Sequence, residues 1–395
     1  MTDAAERHAA FVARLREASP APEPILAAFG RIPRHRFLPG VPLDVAYRDD
    51  AVVTRDEGGV PTSSSSQPSL MARMLALLDV RAGDRVLEVG TGTGYNAALL
   101  AELGAAVTTI ELQAEVAAAA REHLAAADVA PGAVRVVTGD GAAPPTGPYD
   151  RIVVTAGCWS LPAPLVDALA DGGLLVAPLR VNGVELVFAL RREGARLHGA
   201  EALSCGFMPL RGDAERPWRW ELGGGGMATA DADLGDEGRG ALDRLLATPP
   251  RVVEDPLGLE EGEHALDGLL WLGLQGDPLI SLVLPREDGR PPWTVGLDVL
   301  PASLLVIELG PSYGKVGSAR LHGGEGALRT CAAGMASWRE AGSPGPARLE
   351  LTVEPRGDRT GWSLPFAEPD GARAMVRGAH RWTLRYSAFS PQNAA

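Results

Sequence analysis

The feature that most constrains this chain is a glycine-rich turn, Leu87-Glu88-Val89-Gly90-Thr91-Gly92-Thr93-Gly94-Tyr95, set in an alternation of apolar strands and helices. Val86–Val89 is a short apolar run that stops at Gly90. Tyr95–Leu103 has helical composition and ends at Gly104, a stop signal. Val107–Ile110 is strand-like and Ala114–Ala126 is a strong helix former. Val134–Val137, Ile152–Val154 and Leu174–Val176 add three buried-strand candidates, with a helix expected near Pro164–Ala170. Apolar strands that alternate with helices imply a parallel sheet covered on both faces. The expected fold class is therefore α/β, with a mostly parallel, doubly wound sheet.

At the junction of a strand and a helix, glycines let the backbone turn tightly and approach a ligand closely. Three acids sharpen the reading. Glu88 precedes the first glycine by two residues, and Glu111 ends the next strand about 20 residues on, where a ribose diol is held in such folds. Asp140, in Gly139-Asp140-Gly141, follows the third strand, where an adenine amine fits. The Gly-x-Gly-x-Gly spacing favours S-adenosylmethionine over a dinucleotide, because no pyrophosphate has to be seated on the helix. An unrelated doubly wound turn would not need all three acids in register.

With 395 residues, the chain exceeds one ordinary domain. Upstream, Ala4–Glu17 and Ile25–Phe29 read as helices, and the proline-broken Arg31–Gly40 as loop. After Leu210 the pattern changes. Arg211–Gly238 is rich in Gly, Asp and Trp and carries the run Gly223–Gly226, so a linker is expected there. Helices near Ala241–Ala247, His264–Leu272 and Ala327–Arg339, with strands near Leu279–Leu284, Leu304–Leu309, Ala347–Val353 and Arg381–Tyr386, give an α+β second half. The expected domains are 1–212, a linker over 213–238, and 239–395.

Lys and Arg number 37 against 50 Asp and Glu, a net charge of -13, which argues against phosphate neutralisation and so against nucleic acid as partner. No apolar run approaches the roughly 18 residues a membrane span needs. The N-terminus lacks the apolar core of a secretion signal, so a soluble cytoplasmic protein is expected. Cys158, Cys205 and Cys331 are widely spaced, and the histidines do not pair at ligand spacing, so neither a disulfide framework nor a metal site is expected. Arg31, Arg34 and Arg36 read first as a solvated loop and second as a site for a carboxylate. Trp218 and Trp220 could anchor the linker or form an aromatic peptide site. Gly310–Gly317 resembles a phosphate loop only superficially.

The segment Pro61–Met74 contains four consecutive serines before Gln67 and Pro68. Taken alone, it reads equally as a low-complexity loop leading into a helix. Ser64–Met74, however, resembles the signature of the protein-L-isoaspartate O-methyltransferases. Pro33–Phe37, Ala46-Tyr47-Arg48-Asp49, Leu87–Tyr95, Gly139–Gly141, Ile152–Ala156 and Phe207-Met208-Pro209-Leu210 match the same family in order. The similarity spans about residues 20–212.

The resemblance implies a Rossmann-like class I methyltransferase domain, and the α+β half beyond it is expected to recognise the substrate. It places Ser66 on the family's active-site serine, with Ser64, Ser65, Gln67 and Pro68 shaping the acceptor pocket. Glu88, Gly90, Thr91, Gly92, Gly94, Glu111, Leu112, Asp140, Gly141 and Thr155 fall on the side of S-adenosylmethionine, whose product is S-adenosyl-L-homocysteine. The family's Thr-Ile before the serine is Ser64-Ser65 here, and Ser69 follows Pro68 where an aromatic or polar residue is usual. Carboxyl methylation is thus a firmer expectation than repair of isoaspartate.

The serine run, Gly94–Leu100 and the long C-terminal extension are similar to a subgroup encoded with ribosomally made peptides such as lanthipeptides, lasso peptides and graspetides. That similarity implies methylation of an Asp side chain in a modified precursor peptide, with collapse to aspartimide and onward to isoaspartate. The alternative is a general repair enzyme acting on isoaspartyl proteins, and the third reading is a scaffold that binds the cofactor without turnover.

Overall fold

The computed structural model describes residues 2–57, 60–212, 218–231, 233–275, 279–284, 294–299, 302–308, 316, 318–356, 361–363, 366–368 and 372–387. Two compact units divide the chain. The first comprises Met1–Pro178, Val187–Gly199 and Cys205–Glu215, and the second Leu179–Leu186, Ala200–Ser204 and Arg216–Ala395.

In the first unit, α1 (Thr2–Ala18) and α2 (Glu23–Arg31) bury facing stripes that include Phe11, Leu15, Ile25 and Phe29. The stretch expected as loop contains a 3-10 turn at Arg34–Phe37, with Phe37 fully buried. A one-turn helix α3 (Leu43–Ala46) leads into an antiparallel hairpin, β1 (Val52–Glu57) and β2 (Val60–Ser65). The serine run is thus a strand, not a low-complexity loop. Pro68 opens α4 (Pro68–Leu78), where its missing N–H costs nothing.

The alternating region follows as β3 (Arg85–Val89), α5 (Tyr95–Glu102), β4 (Ala106–Glu111), α6 (Ala114–Ala126), β5 (Val134–Thr138), β6 (Tyr149–Val154), α7 (Ala163–Asp167) and β7 (Leu169–Val181). β4, β3 and β6 lie side by side, flanked by β5 and β7, and every pair among them is parallel. Val86, Leu87, Val89, Ile110, Ile152 and Val154 are all buried, as a sheet covered on both faces requires. β5 is only half-buried, because it is the last strand on its side. The helix expected to reach Ala170 stops at Asp167. Tyr149 donates its N–H to the Ala168 carbonyl and pairs with Leu169, so strand pairing overrides helix propensity there. The sequence reading also missed β8 (Val184–Glu193) and β9 (Arg196–Ser204). Between β7 and β8, Asn182 and Gly183 both take positive φ, 41° and 88°, the pattern of a two-residue hairpin turn.

In the second unit, β10 (Arg219–Glu221) and β11 (Met227–Ala230) form a hairpin inside the stretch expected to be a tether. Its glycine run makes a tight turn, with Gly225 N–H donating to Leu222 and Leu222 N–H to Gly226. Then come α8 (Gly235–Leu246), β12 (Arg251–Glu254), α9 (Ala265–Leu274), β13 (Leu279–Val283), β14 (Thr294–Val299), β15 (Ser303–Glu308), β16 (Ser318–Gly323) and α10 (Gly326–Glu340). β17 (Leu349–Pro355), β18 (Gly361–Trp362), β19 (Phe366–Ala367), β20 (Arg373–Gly378) and β21 (His380–Tyr386) complete the chain.

One antiparallel sheet runs β10-β11-β13-β14-β15-β16-β12. A second contains β17, β21, β20 and β18 as antiparallel neighbours, with β19 on β20. α8 begins six residues before the expected helix, its start disguised by Gly238 and Gly240. Trp220 packs against the core formed by Leu242, Ile280, Leu304 and their neighbours, so it anchors its own hairpin. The Gly310–Gly317 loop lies outside the described residues except for Val316. A mostly parallel α/β sheet followed by a second half of helices and antiparallel strands is as the sequence implied.

Candidate active site

The first strand of the alternation ends where the backbone must turn sharply. Gly90 has φ of 94°, and a Cβ there would lie 2.6 Å from the Thr155 hydroxyl oxygen. That hydroxyl donates to the carbonyls of Gly90 (2.7 Å) and Val89 (3.1 Å), so Thr155 staples the turn instead of facing a ligand. At Gly92, also with positive φ, a Cβ would meet the Ser64 carbonyl oxygen at 3.4 Å. The serine strand therefore lies directly against the glycine turn. Gly141 is wedged on Val89, where a Cβ would come within 2.3 Å of Cγ1. Gly94 caps α5 in the left-handed region.

The three acids have different surroundings. Glu111 receives the Gly92 N–H (3.0 Å) on one oxygen and the Gln113 N–H (3.1 Å) on the other. Each oxygen retains lone-pair capacity for a diol. Beside it, Leu112 is 42% exposed, an apolar surface at the lip of the turn. Asp140 is half-buried, accepts the Ala142 N–H at 2.7 Å, and is closed over by Gly212.

Glu88 departs from its expected role. Its side chain is fully buried, with one oxygen on Asn96 Nδ2 (2.8 Å) and the other accepting the Thr109 hydroxyl (2.6 Å). Thr91, itself buried, bonds to the same Thr109 oxygen at 2.7 Å. Glu88 and Thr91 thus brace the turn from beneath.

Burial pushes the Glu88 carboxyl up to about 7, against the pull of Thr109 and Asn96. In the unfolded chain a Glu titrates near 4.3, so between about pH 4.3 and 7 the folded protein holds the extra proton. The stabilisation linked to that proton is complete below the window and lost above it, a change of about 4 kcal/mol. Glu88→Gln does not titrate. Its unfolding free energy relative to wild type should therefore rise from pH 5 to pH 8, as read from denaturant melts. An offset that is equal at both pH values would contradict this.

The segment expected to face the methyl acceptor comprises β2 and its exit. Ser66 and Gln67 join β2 to α4, and Ser66 is half-exposed with no protein partner for its hydroxyl among the described residues. Asp49 accepts the Ser69 N–H (2.8 Å) and the Gln67 amide (3.1 Å), fixing the connection beyond Ser66. Gln113 Nε2 donates to the Thr62 carbonyl at 3.2 Å, tying β2 to the residue next but one after Glu111. Of the residues expected to shape the acceptor pocket, Ser64 and Gln67 are half-exposed, whereas Ser65 and Pro68 are buried and serve packing.

Arg34 reverses its expectation. Neither solvated nor open to a ligand, it is fully buried and donates to backbone carbonyls around the serine loop. Arg31 and Arg36 do remain at the surface, paired with Glu102 and Asp128. Cys158, Cys205 and Cys331 are buried and in no disulfide, and no metal-binding cluster occurs among the described residues.

Residues 6–215 match the family described as Protein-L-isoaspartate(D-aspartate) O-methyltransferase. The chain belongs to that family. A protein-L-isoaspartate O-methyltransferase of Methanoculleus marisnigri is 44% identical over 206 residues, 51% of this chain and 88% of the relative. One from Methanoregula boonei is 40% identical over 190 residues, 48% of this chain and 84% of the relative. A solved structure titled protein-L-isoaspartate O-methyltransferase shares the fold, with a TM-score of 0.51, 23% identity, and coverage of 88% of this chain and 96% of its own. As a member of the protein-L-isoaspartate(D-aspartate) O-methyltransferase family, the chain is a methyltransferase whose methyl donor is S-adenosylmethionine. The residues present suit that donor: a glycine turn held at positive φ over Gly90, Gly92 and Gly94, an acid with free acceptor capacity at Glu111, and an exposed apolar side chain at Leu112.

Proposed function

We propose that this enzyme methylates the free carboxylate of isoaspartyl residues in proteins and peptides, as a general repair enzyme. The observation that carries the proposal is the seating of the Ser64–Ser66 segment on the glycine turn, with Ser66's hydroxyl half-exposed and uncommitted. Gly90, Gly92, Gly94 and Gly141 would supply the cradle. Glu111 would hold the ribose, Leu112 the adenine face and Asp140 the adenine amine, with Glu88, Thr91 and Thr155 bracing the turn. When bound, S-adenosylmethionine supplies a methyl group on a positively charged sulfur.

The protein's own part is small. A carboxyl group with a pKa below about 4 is already the nucleophilic anion at neutral pH, so no side chain has to remove a proton. Ser66 donates its hydroxyl to one carboxylate oxygen and turns the other towards the methyl group. Orientation of this kind can lower a barrier by ~7–11 kcal/mol. The ester formed then loses methanol when the following backbone nitrogen attacks its carbonyl carbon and closes a succinimide. That ring closure needs no group from the enzyme.

A second reading is favoured by one observation: the curated relatives match about half of this chain, leaving residues beyond 215 outside their reach. In that reading, residues 239–395 recognise a modified precursor peptide through remote contacts, and an ordinary Asp in it is methylated on the way to aspartimide. Against it, the solved structure with the isoaspartyl title covers 88% of the chain in fold, so an added unit is no mark of a special substrate. No helix among the described residues is long and apolar enough to cross a membrane.

Short linear peptides that differ only in isoaspartate or aspartate at one site separate the readings. With the full chain and S-adenosylmethionine, the isoaspartyl peptide should gain about 14 mass units (the added CH₂) and its aspartyl twin none. Methylation confined to the Asp of a constrained cyclic peptide would decide for the second reading.

A further inference from the structure

Arg34 lies in the Pro33–Phe37 segment, outside the glycine turn and the serine strand, yet its guanidinium joins two distant stretches of chain. Nη1 donates to the carbonyls of Ala46 (3.1 Å) and Arg48 (2.9 Å). Nη2 reaches those of Asp50 (3.0 Å), Ser65 (3.3 Å) and Ser66 (3.0 Å). The side chain is fully buried. A planar fork with fixed donors is the side chain suited to several carbonyls at once, whereas an ammonium is a point charge on a flexible stem.

The partners are all neutral. No carboxylate bonds to Arg34 among the described residues, and Asp49 and Asp50 attract it only at longer range. A buried cation without a bonded counter-ion is expensive, and such a cost persists where the surrounding fold over-determines it. Here Nη2 lies 3.0 Å from the carbonyl oxygen of Ser66, the residue whose hydroxyl is proposed to hold the acceptor.

We infer that Arg34 is the positioning residue of the acceptor loop: its fork sets the backbone of Ser65–Ser66 in register with the glycine turn, and its unneutralised charge draws the carboxylate of the acceptor to Ser66. The inference rests on the proposed placing of the acceptor at Ser66. The two roles separate by substitution. Arg34→Lys retains the charge and loses the fork, so the loop shifts while attraction for the anion persists. Arg34→Met retains bulk and loses both.

The test uses the full chain, with an isoaspartyl peptide as acceptor and S-adenosyl-L-homocysteine as the probe of the cofactor site. For Arg34→Lys, kcat should fall about 100-fold, the scale of a misplacement near 1 Å, with KM for the peptide close to wild type. For Arg34→Met, KM should also rise, by about tenfold or more if the lost attraction is worth at least one ordinary charged contact. Homocysteine-product affinity should stay within about threefold in both, since Arg34 bonds to none of the glycine-turn residues. A purely structural role would lower kcat and that affinity together, and this result would overturn the inference, as would a wild-type kcat in Arg34→Lys. If Arg34→Met does not fold, the lysine variant decides alone. A wild-type enzyme inactive on isoaspartyl peptides would refute the proposed function instead, and the variant-to-wild-type ratios would then be taken on the Asp-containing cyclic peptide.

Discussion

Replacing Glu111 with alanine should weaken S-adenosylmethionine binding by two to three orders of magnitude. The expectation follows from what the carboxylate holds. It accepts the N–H groups of Gly92 and Gln113, at 3.0 and 3.1 Å, and keeps capacity for a diol. Hydrogen bonds to a charged group are worth about 1.5–3 kcal/mol each, so losing two to the ribose amounts to roughly 3–4 kcal/mol or more. The alanine also leaves the Gly92 N–H without its acceptor, so the turn loses its anchor at the same step. Glu111→Gln, which retains one acceptor oxygen, should fall between. Calorimetric titration with S-adenosyl-L-homocysteine reads both, and an affinity within threefold of wild type for the alanine variant would remove Glu111 from the site.

The glycine turn and the strands around it were legible because two local signals coincide there: apolar runs too short for helices, and glycines where the chain must turn. Glu111 could be placed for the same reason, since a residue at the end of a parallel strand has its position set by the strand itself. Glu88 was misread because alternation along β3 decides which face a side chain takes, and nothing local says that Asn96 and Thr109 will close over it. Arg34 was hidden more thoroughly. Its burial depends on five carbonyls from segments up to 32 residues away, and proline-flanked basic stretches are ordinarily solvated. Ser63–Ser65 gave little sign of strand, because serine has weak β propensity and the pairing with β1 is what holds them. In contrast, Asn182-Gly183 was a usable hairpin signal that would have revealed β8. Residues 219–230 resisted because the same glycines suit a tether and a tight turn, and only the packing of Trp220 chooses.

Ser66 carries the account's central claim, that the acceptor carboxylate is held by one hydroxyl next to the glycine turn. Its neighbour provides an internal control. Ser65 is buried with its hydroxyl towards Arg34 at 3.5 Å, whereas Ser66 is half-exposed and uncommitted. Removal of a single hydrogen-bond donor at a reacting oxygen commonly costs about 10²–10³ in rate. Ser66→Ala should therefore lose activity on this scale while binding S-adenosyl-L-homocysteine as wild type does, and Ser65→Ala should lose little. The decisive measurement is single-turnover methyl transfer from saturating S-adenosylmethionine to an isoaspartyl peptide, comparing Ser66→Ala with wild type. A rate at least 100-fold slower at unchanged cofactor affinity is what this geometry predicts, and ester formation at the wild-type rate would contradict it.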